Sequence, residues 1–341
     1  MNKKERASST VINSYVGQYK SMPTAALARK IYRENKKHFP SLNAVMCAIR
    51  YRRGSMGIEN RSKRGVSSIQ ATPPSKYNSV NPLRLPESDK KEWARFEMDG
   101  CKRVGVMGDL HLPYHDMDAL TCAILDLKKN KVDGILLNGD LVDFHQISRF
   151  VHDPAKRNFK EEKLTVIKFL ERLRQLFPKA RIVYKEGNHS ERLWNYLAPR
   201  ISDIYMDEDV RDALSLRKLF KMDNFGVEWV GEKREIMLGK LPVLHGHEFR
   251  SGFAPPVNPA RGAFLKAKES IMVNHHHKTS EHTETTLGRK IITAWSVGCL
   301  CELRPSYDPY NGYNHGFAIV DIEKDGGFHV QNKRILNGVI L

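Results

Sequence analysis

Residues 104–113 read VGVMGDLHLP, an apolar run that stops at Gly108 and passes straight into Asp109, Leu110 and His111. A run this short, closed by a glycine and a proline, reads as a buried strand entering a turn. The pattern recurs four times. ILLNGDLVDF (135–144) leaves its strand at Asn138-Gly139-Asp140, with Asp143 three residues on, and IVYKEGNHSER (182–192) leaves at Gly187-Asn188-His189. LPVLHGHEF (241–249) ends in His245-Gly246-His247, and SIMVNHHHKT (270–279) ends in His275-His276-His277. Each strand delivers Asp, Asn or His at its carboxyl end.

Between these strands lie stretches of helical spacing, near residues 118–129, 160–177 and 192–198. The second half is richer in short apolar runs, at 226–230, 241–245, 271–274, 290–297, 317–322 and 328–330. Alternating strands and helices followed by strands predict an α/β fold, two packed sheets flanked by helices in an αββα sandwich. In such sheets ligands collect outside the carboxyl ends of strands, so the five turns are expected to converge on one site.

Carboxylate, carboxamide and neutral imidazole together suit divalent ions such as Mn, Fe, Zn or Mg, and no thiolate belongs to the set. There are more candidate ligands than one tetrahedral ion takes. Two ions about 3.5–4 Å apart, sharing one carboxylate, account for the surplus and suit phosphoester hydrolysis. The internal run His275–His277 follows an apolar strand directly, which favours ligands over a surface run.

In this order and spacing the five blocks resemble the calcineurin-like metallophosphoesterases, whose pattern is DxH, GDxxD, GNH, an isolated His and GHxH. The likeness covers about residues 104–277. It implies that Asp109, His111 and His277 bind one metal, that Asn188, His245 and His275 bind the second, and that Asp140 bridges them. It further implies in-line attack by a bridging hydroxide, with His189 protonating the leaving oxygen and Asp143 holding His189. Arg192 is a candidate contact for substrate phosphate. Ser190 stands where an acid usually follows GNH, with Glu191 one residue later, and Asn274 replaces the Gly of GHxH. Phe144 departs from the GDxVDRG of the eukaryotic protein phosphatases and argues against that branch. The stretches GDLHLPYHD, GDLVDFHQISRF and SVGCLCELRPSY, with NHGFAIV after them, are similar to metallophosphoesterases of phages and prophages.

Bland readings are assigned to the other polar and aromatic residues. His247 and His276 flank ligands without being ligands, and His115, His145 and His152 read as solvated or satisfied. Cys299 and Cys301 read as core packing, Asp207-Glu208-Asp209 as a solvated helix start, and Trp194, Tyr196 and Leu197 as core rather than base-stacking residues.

Charge is distributed unevenly over the 341 residues. Residues 1–66 hold fifteen Lys and Arg against three Glu, so +12 of the formal +17 lies there. Helices are expected over about 11–18, from a Thr24 cap to about 37, and from a Ser41 cap to Arg50, Arg52 and Arg53. A basic helix-turn-helix-like module over 1–66 predicts nucleic acid as partner, with a docking or dimerisation arm as the alternative. Residues 67–90, rich in Pro, Ser and Asn, read as a linker to a catalytic domain over 91–341. Five sparse cysteines make a disulfide framework improbable. No apolar run reaches 18 residues and no apolar stretch follows the basic N-terminus, so no membrane span or secretory leader is expected. The expected location is the cytoplasm, the host's if the chain is phage-encoded. The expected activity is that of a two-metal phosphoesterase, Mn the favoured ion with Fe, Zn, Ni, Co or Mg as substitutes. A DNA nuclease or phosphodiesterase is preferred, and a phosphomonoesterase is the alternative.

Overall fold

The computed structural model describes residues 3–53, 93–148, 158–231, 233–249, 257–306 and 308–341. The linker expected at 67–90, the module boundary at 66 and His152 lie outside them. The chain divides into two compact units, Met1–Asp89 and Lys90–Leu341.

In the larger unit the central strands are β2 (Arg103–Met107), β3 (Gly134–Asn138), β4 (Arg181–Lys185) and β5 (Val227–Val230), paired in parallel. Their side chains alternate between two cores, as the period of a strand requires. Val104, Val106, Leu136 and Val183 face the second sheet, while Ile135, Leu137, Ile182 and Tyr184 face helices. β11 (His315–Ile322) adds antiparallel to β2, followed by β12 (Phe328–Leu336) and β13 (Val339–Ile340), giving the order β13-β12-β11-β2-β3-β4-β5.

The second sheet runs β1-β6-β7-β8-β10-β9. Its strands are β1 (Phe96–Glu97), β6 (Ile236–Leu238), β7 (Leu241–Val243), β8 (Ile271–Val273), β9 (Ser280–Thr285) and β10 (Ile291–Ser296). Ile236, Leu238, Leu241, Val243 and Met272 close the core between the sheets. Each such fully buried aliphatic contributes about 1.5–3 kcal/mol.

Helices cover the outer faces. Met117–Lys129 and Phe159–Leu176 lay Ala123, Leu127, Val166 and Leu170 on the first sheet, and Pro259–Ala267 lays Ala260 and Ala263 on the second. Asp116 caps the first of these through Ala119 N at 2.8 Å, and Asn158 forms a capping box with Glu161 on the next. The architecture is an αββα sandwich.

The smaller unit contains helices Lys3–Gln18, Thr24–Glu34 and Leu42–Arg53 around Ile12, Leu27, Ile31, Phe39, Val45 and Ile49. Ser41 caps the third helix, accepting from Ala44 N at 3.1 Å. Thr24 does not cap: it sits in the first turn, with Pro23 at the cap position. Two of the three terminal arginines are committed inward. Arg53 donates to Met22 O at 2.7 Å and to Tyr19 O, serving carbonyls after the first helix, and Arg52 reaches Ser9 Oγ at 3.3 Å. Arg50 stays exposed, with Lys20, Arg29, Arg33, Lys36 and Lys37. Among the described residues no helix is long and apolar enough to cross a membrane.

Candidate metal centre

Four of the five motif turns depart from β2, β3, β4 and β8, and the fifth follows β7. Their backbones are forced into unusual conformations. Asp109, His111, Asp140, His275 and His277 all have positive φ, between 43° and 70°. A left-handed backbone at a non-glycine residue costs about 1–3 kcal/mol and persists where the surroundings over-determine it. Glycines permit the close approach between the turns. A Cβ on Gly139, itself at φ 87°, would strike the His245 ring, and one on Gly187 would strike the Asp140 carboxylate.

Asp140 lies at the centre. Its Oδ1 accepts from His189 N at 2.9 Å, and its Oδ2 stands 3.2 Å from His245 Nε2 and 3.9 Å from His111 Nε2. On one side His111 Nε2 and His277 Nε2 approach to 3.2 Å, with Asp109 Oδ1 3.5 Å from His277 Nε2. On the other, Asn188 Oδ1 lies 3.2 Å from His245 Nε2, and His275 joins Asp140 and His245 in a group whose donor atoms fall within 4.8 Å of one another. The structure brings all seven sequence-predicted ligands together in two sets that meet at Asp140. It also brings Cys301 near them, its Sγ 3.8 Å from His277 Nδ1.

The donor set fits divalent cations. Asp109 Oδ1 is buried with no hydrogen-bond partner, which is costly for a carboxylate oxygen unless a cation is its partner. Burial opposes the charge on Asp109, but His277 outweighs it and holds the carboxyl at about 2. Burial also opposes charge on His245 and His277, yet Asp140 and Asp109 carry both up to about 9. A field that draws protons onto two imidazoles draws divalent cations as well, releasing those protons. His275 goes the other way, burial and then His245 lowering it to about 3, so its lone pair is free.

The outer contacts aim these rings. His111 Nδ1 donates to Asp143 Oδ1 at 3.0 Å and His245 Nδ1 to Asn138 O at 2.9 Å, which leaves each Nε2 facing inward. Asp143 also lies 3.1 Å from His189 Nδ1, and it is held far below the ordinary carboxylate range because both histidines outweigh its burial. His189 Nδ1 donates to Asp143 O at 2.9 Å, while Arg192 donates to His189 Nε2 and to Asp143 O, each at 2.8 Å.

Both motif departures have partners. Asn274 is not among the residues with positive φ, and its buried Oδ1 accepts from Asn138 Nδ2 at 2.7 Å, tying β8 to β3. Ser190 is buried on Tyr184 OH, and Glu191 pairs with His247 at 3.1 Å and Lys233 at 3.2 Å. Asp207 caps the helix Glu208–Ala213. The aromatic reading needs correction. Leu197 packs on the core, but Trp194 is 47% exposed and Tyr196 37%, because the helix Asn188–Leu197 turns its far face outward.

Sequence reasoning missed three supports. Lys185 and Glu248 form a buried pair at 2.6 Å beneath the His245 turn. Tyr313 packs on the His277 ring, centroids 4.5 Å apart. Glu162, fully buried, accepts from His145 N at 3.1 Å behind the Asp143 turn. Burial, with Asp143 adding to it, pushes the Glu162 carboxyl up to about 8 from 4.5. The stability that this proton carries is therefore complete below about pH 4.5 and lost as pH climbs through about 8. Glu162→Gln cannot ionise and is expected to melt close to wild type at about pH 4.5 and increasingly above it as pH rises from there to about 9. Equal losses in both proteins would mean that another group titrates.

The model of the calcineurin-like phosphoesterases matches residues 102–308, more than half of the chain. The Gene 54 protein of Mycobacterium phage L5 is 26% identical over 247 residues, 67% of this chain and 91% of that protein. The Gene 54 protein of Mycobacterium phage D29 is 26% identical over 216 residues, 60% of this chain and 81% of its own. Among solved structures, vacuolar protein sorting 29 from Cryptosporidium parvum covers 71% of this chain and 95% of its own at 14% identity and TM-score 0.38. With the family's motif blocks gathered around Asp140 and the family model covering the strands that carry them, the chain belongs to the calcineurin-like phosphoesterases and is a metal-dependent phosphoester hydrolase.

Proposed function

We propose that the chain is a DNA nuclease or phosphodiesterase using two divalent ions, with Mn as the activating metal. The observation that carries the two-ion reading is Asp140, whose Oδ2 lies between His111 Nε2 at 3.9 Å and His245 Nε2 at 3.2 Å, one from each set of ligands. Asp109, His111, Asp140 and His277 would hold one ion, and Asp140, Asn188, His245 and His275 the other. Bound there, the ions would supply Lewis acidity and an acidified water at neutral pH. His189 would protonate the leaving oxygen, with Asp143 fixing its ring through Nδ1. Arg192, whose guanidinium lies against His189 Nε2, would turn to the phosphate of a substrate placed there.

Support for a polynucleotide substrate comes from the smaller unit, whose Lys20, Arg29, Arg33, Lys36, Lys37 and Arg50 are exposed. The deciding experiment follows one doubly labelled oligonucleotide carrying a terminal phosphate, incubated with enzyme and Mn. Shortened chains establish a nuclease. Loss of the terminal phosphate alone makes it a phosphomonoesterase, and no change in either label removes nucleic acid as substrate.

The same reading sets an expectation for the basic unit. Replacing Arg29, Arg33 and Arg50 with Ala is expected to weaken DNA binding and flatten its log–log salt dependence by about one unit for each phosphate no longer neutralised. Anisotropy titrations across a salt series measure this. An unchanged slope would move the basic unit to another job.

A further inference from the structure

Beside the metal centre lies a cavity of about 740 Å³ that the phosphoester chemistry does not use. Its near wall is the first turn of the helix Asn188–Leu197, where Ser190 and Glu191 directly follow Asn188 and His189. Trp194, on the same helix, lies five residues beyond His189, about 7.5 Å along the axis. Trp229 of β5 and Tyr205 complete the aromatic lining.

These rings are built in place. Trp194 packs on Tyr205 at 4.3 Å between centroids yet remains 47% exposed. Trp229 is 37% exposed, and its ring lies where a Cβ on Gly231 would be. Two partly exposed indoles lining one cavity leave apolar surface that a flat ring would cover. Three carboxylates and two cations face the same space. Glu186, Glu191 and Asp212 line it, against Arg211 and Lys233, and Lys233 is 3.2 Å from Glu191. Carboxylates repel phosphate but accept hydrogen bonds from the amino and imino groups on base edges. A ligand suited to this lining is flat, aromatic, rich in N–H donors and joined to a phosphate lying towards the metal centre.

We infer that this cavity seats an unpaired nucleobase of the substrate strand, next to the scissile phosphate, with Trp194 and Trp229 as its stacking surfaces. The inference rests on the nuclease reading and narrows it: the strand is single or locally unpaired where it is cut, since a base inside a duplex presents no free face. Base-on-aromatic stacking tolerates any of the bases, so the site confers preference for unpaired structure with little preference for sequence.

The test uses the full-length, Mn-loaded protein and two strands of equal length, one single-stranded oligonucleotide and one with abasic residues around the cleaved bond. The base-bearing strand is expected to quench tryptophan emission and to be cut with a KM lower by about tenfold or more. Trp194→Ala is expected to raise KM for that strand to the abasic level while leaving kcat within about twofold, a split that loss of uniform binding produces. Trp229→Phe, which keeps a smaller ring, is expected to fall between. Cleavage of both strands with equal KM by wild type would overturn the inference and leave the nuclease standing. Failure to cut either strand would overturn the nuclease reading and the base site with it.

Discussion

His189→Gln is expected to lower kcat by about 10²–10⁴-fold while the protein keeps its full complement of metal. The two halves of this expectation come from different contacts. His189 Nε2 lies 3.9 Å from Asp140 Oδ2, close enough for His189 to group with His111 and Asp140 as a possible ligand set. Its hydrogen bonds argue otherwise. Nδ1 donates to Asp143 O, so Nε2 carries the lone pair, and that lone pair receives the Arg192 guanidinium at 2.8 Å. A lone pair that accepts from a cationic side chain is not free for a metal ion, whereas once Arg192 turns to a substrate phosphate Nε2 can carry a proton to the leaving oxygen. Gln preserves a polar group of similar reach but cannot hold and deliver a proton. Steady-state kinetics and metal analysis of the purified variant together decide the matter. Retained activity would remove His189 from the chemistry, and loss of metal would make it a ligand.

The parts of the site legible in the sequence are those written in short, local signals. Asp109 and His111 are two residues apart on one turn, Asn188 and His189 are adjacent, and each pair follows an apolar strand of about five residues. Their convergence needs only the rule that strand ends share one edge of a parallel sheet. What local reading misses depends on distant partners. β9 reads SEHTET, with no apolar face to betray it, and exists because it completes the edge of β10. β6 is three residues long, too short for any period, and lies between β1 and β7. Trp194 misleads for a related reason: a tryptophan in an amphipathic helix looks like core until the neighbouring elements are known. Apolar spacing starts the helix Asn188–Leu197 at residue 192, four residues after its actual start. That shift matters chemically, because it places Asn188 and His189 in the first helical turn with their side chains fixed relative to each other.

The largest stability effect is expected from Lys185→Met, which lies outside the ligand set. Lys185 is buried at the end of β4, and its Nζ meets Glu248 Oε1 at 2.6 Å. Glu248 uses its other oxygen to accept from Gly246 N at 2.7 Å, so the pair braces the turn that presents His245. Removing the ammonium leaves a buried carboxylate without its ion-pair partner, a change that costs about 3–5 kcal/mol. The pH dependence identifies the cause. Burial opposes charge on Glu248, but Lys185, with His247 and His245 behind it, outweighs burial and holds the carboxyl at about 2. A depressed acid contributes stability above its ordinary value of 4.5 that is lost as pH falls towards about 2. The gap between wild type and Lys185→Met is therefore expected to be full at neutral pH and to narrow below about pH 4.5, where denaturant titrations at a series of pH values read it directly. The variant is also expected to bind metal about 10–100-fold more weakly, since the turn carrying His245 loses its brace. A gap that stays constant down to about pH 3 would show that packing of the lysine stem, rather than its charge on Glu248, holds this turn in place.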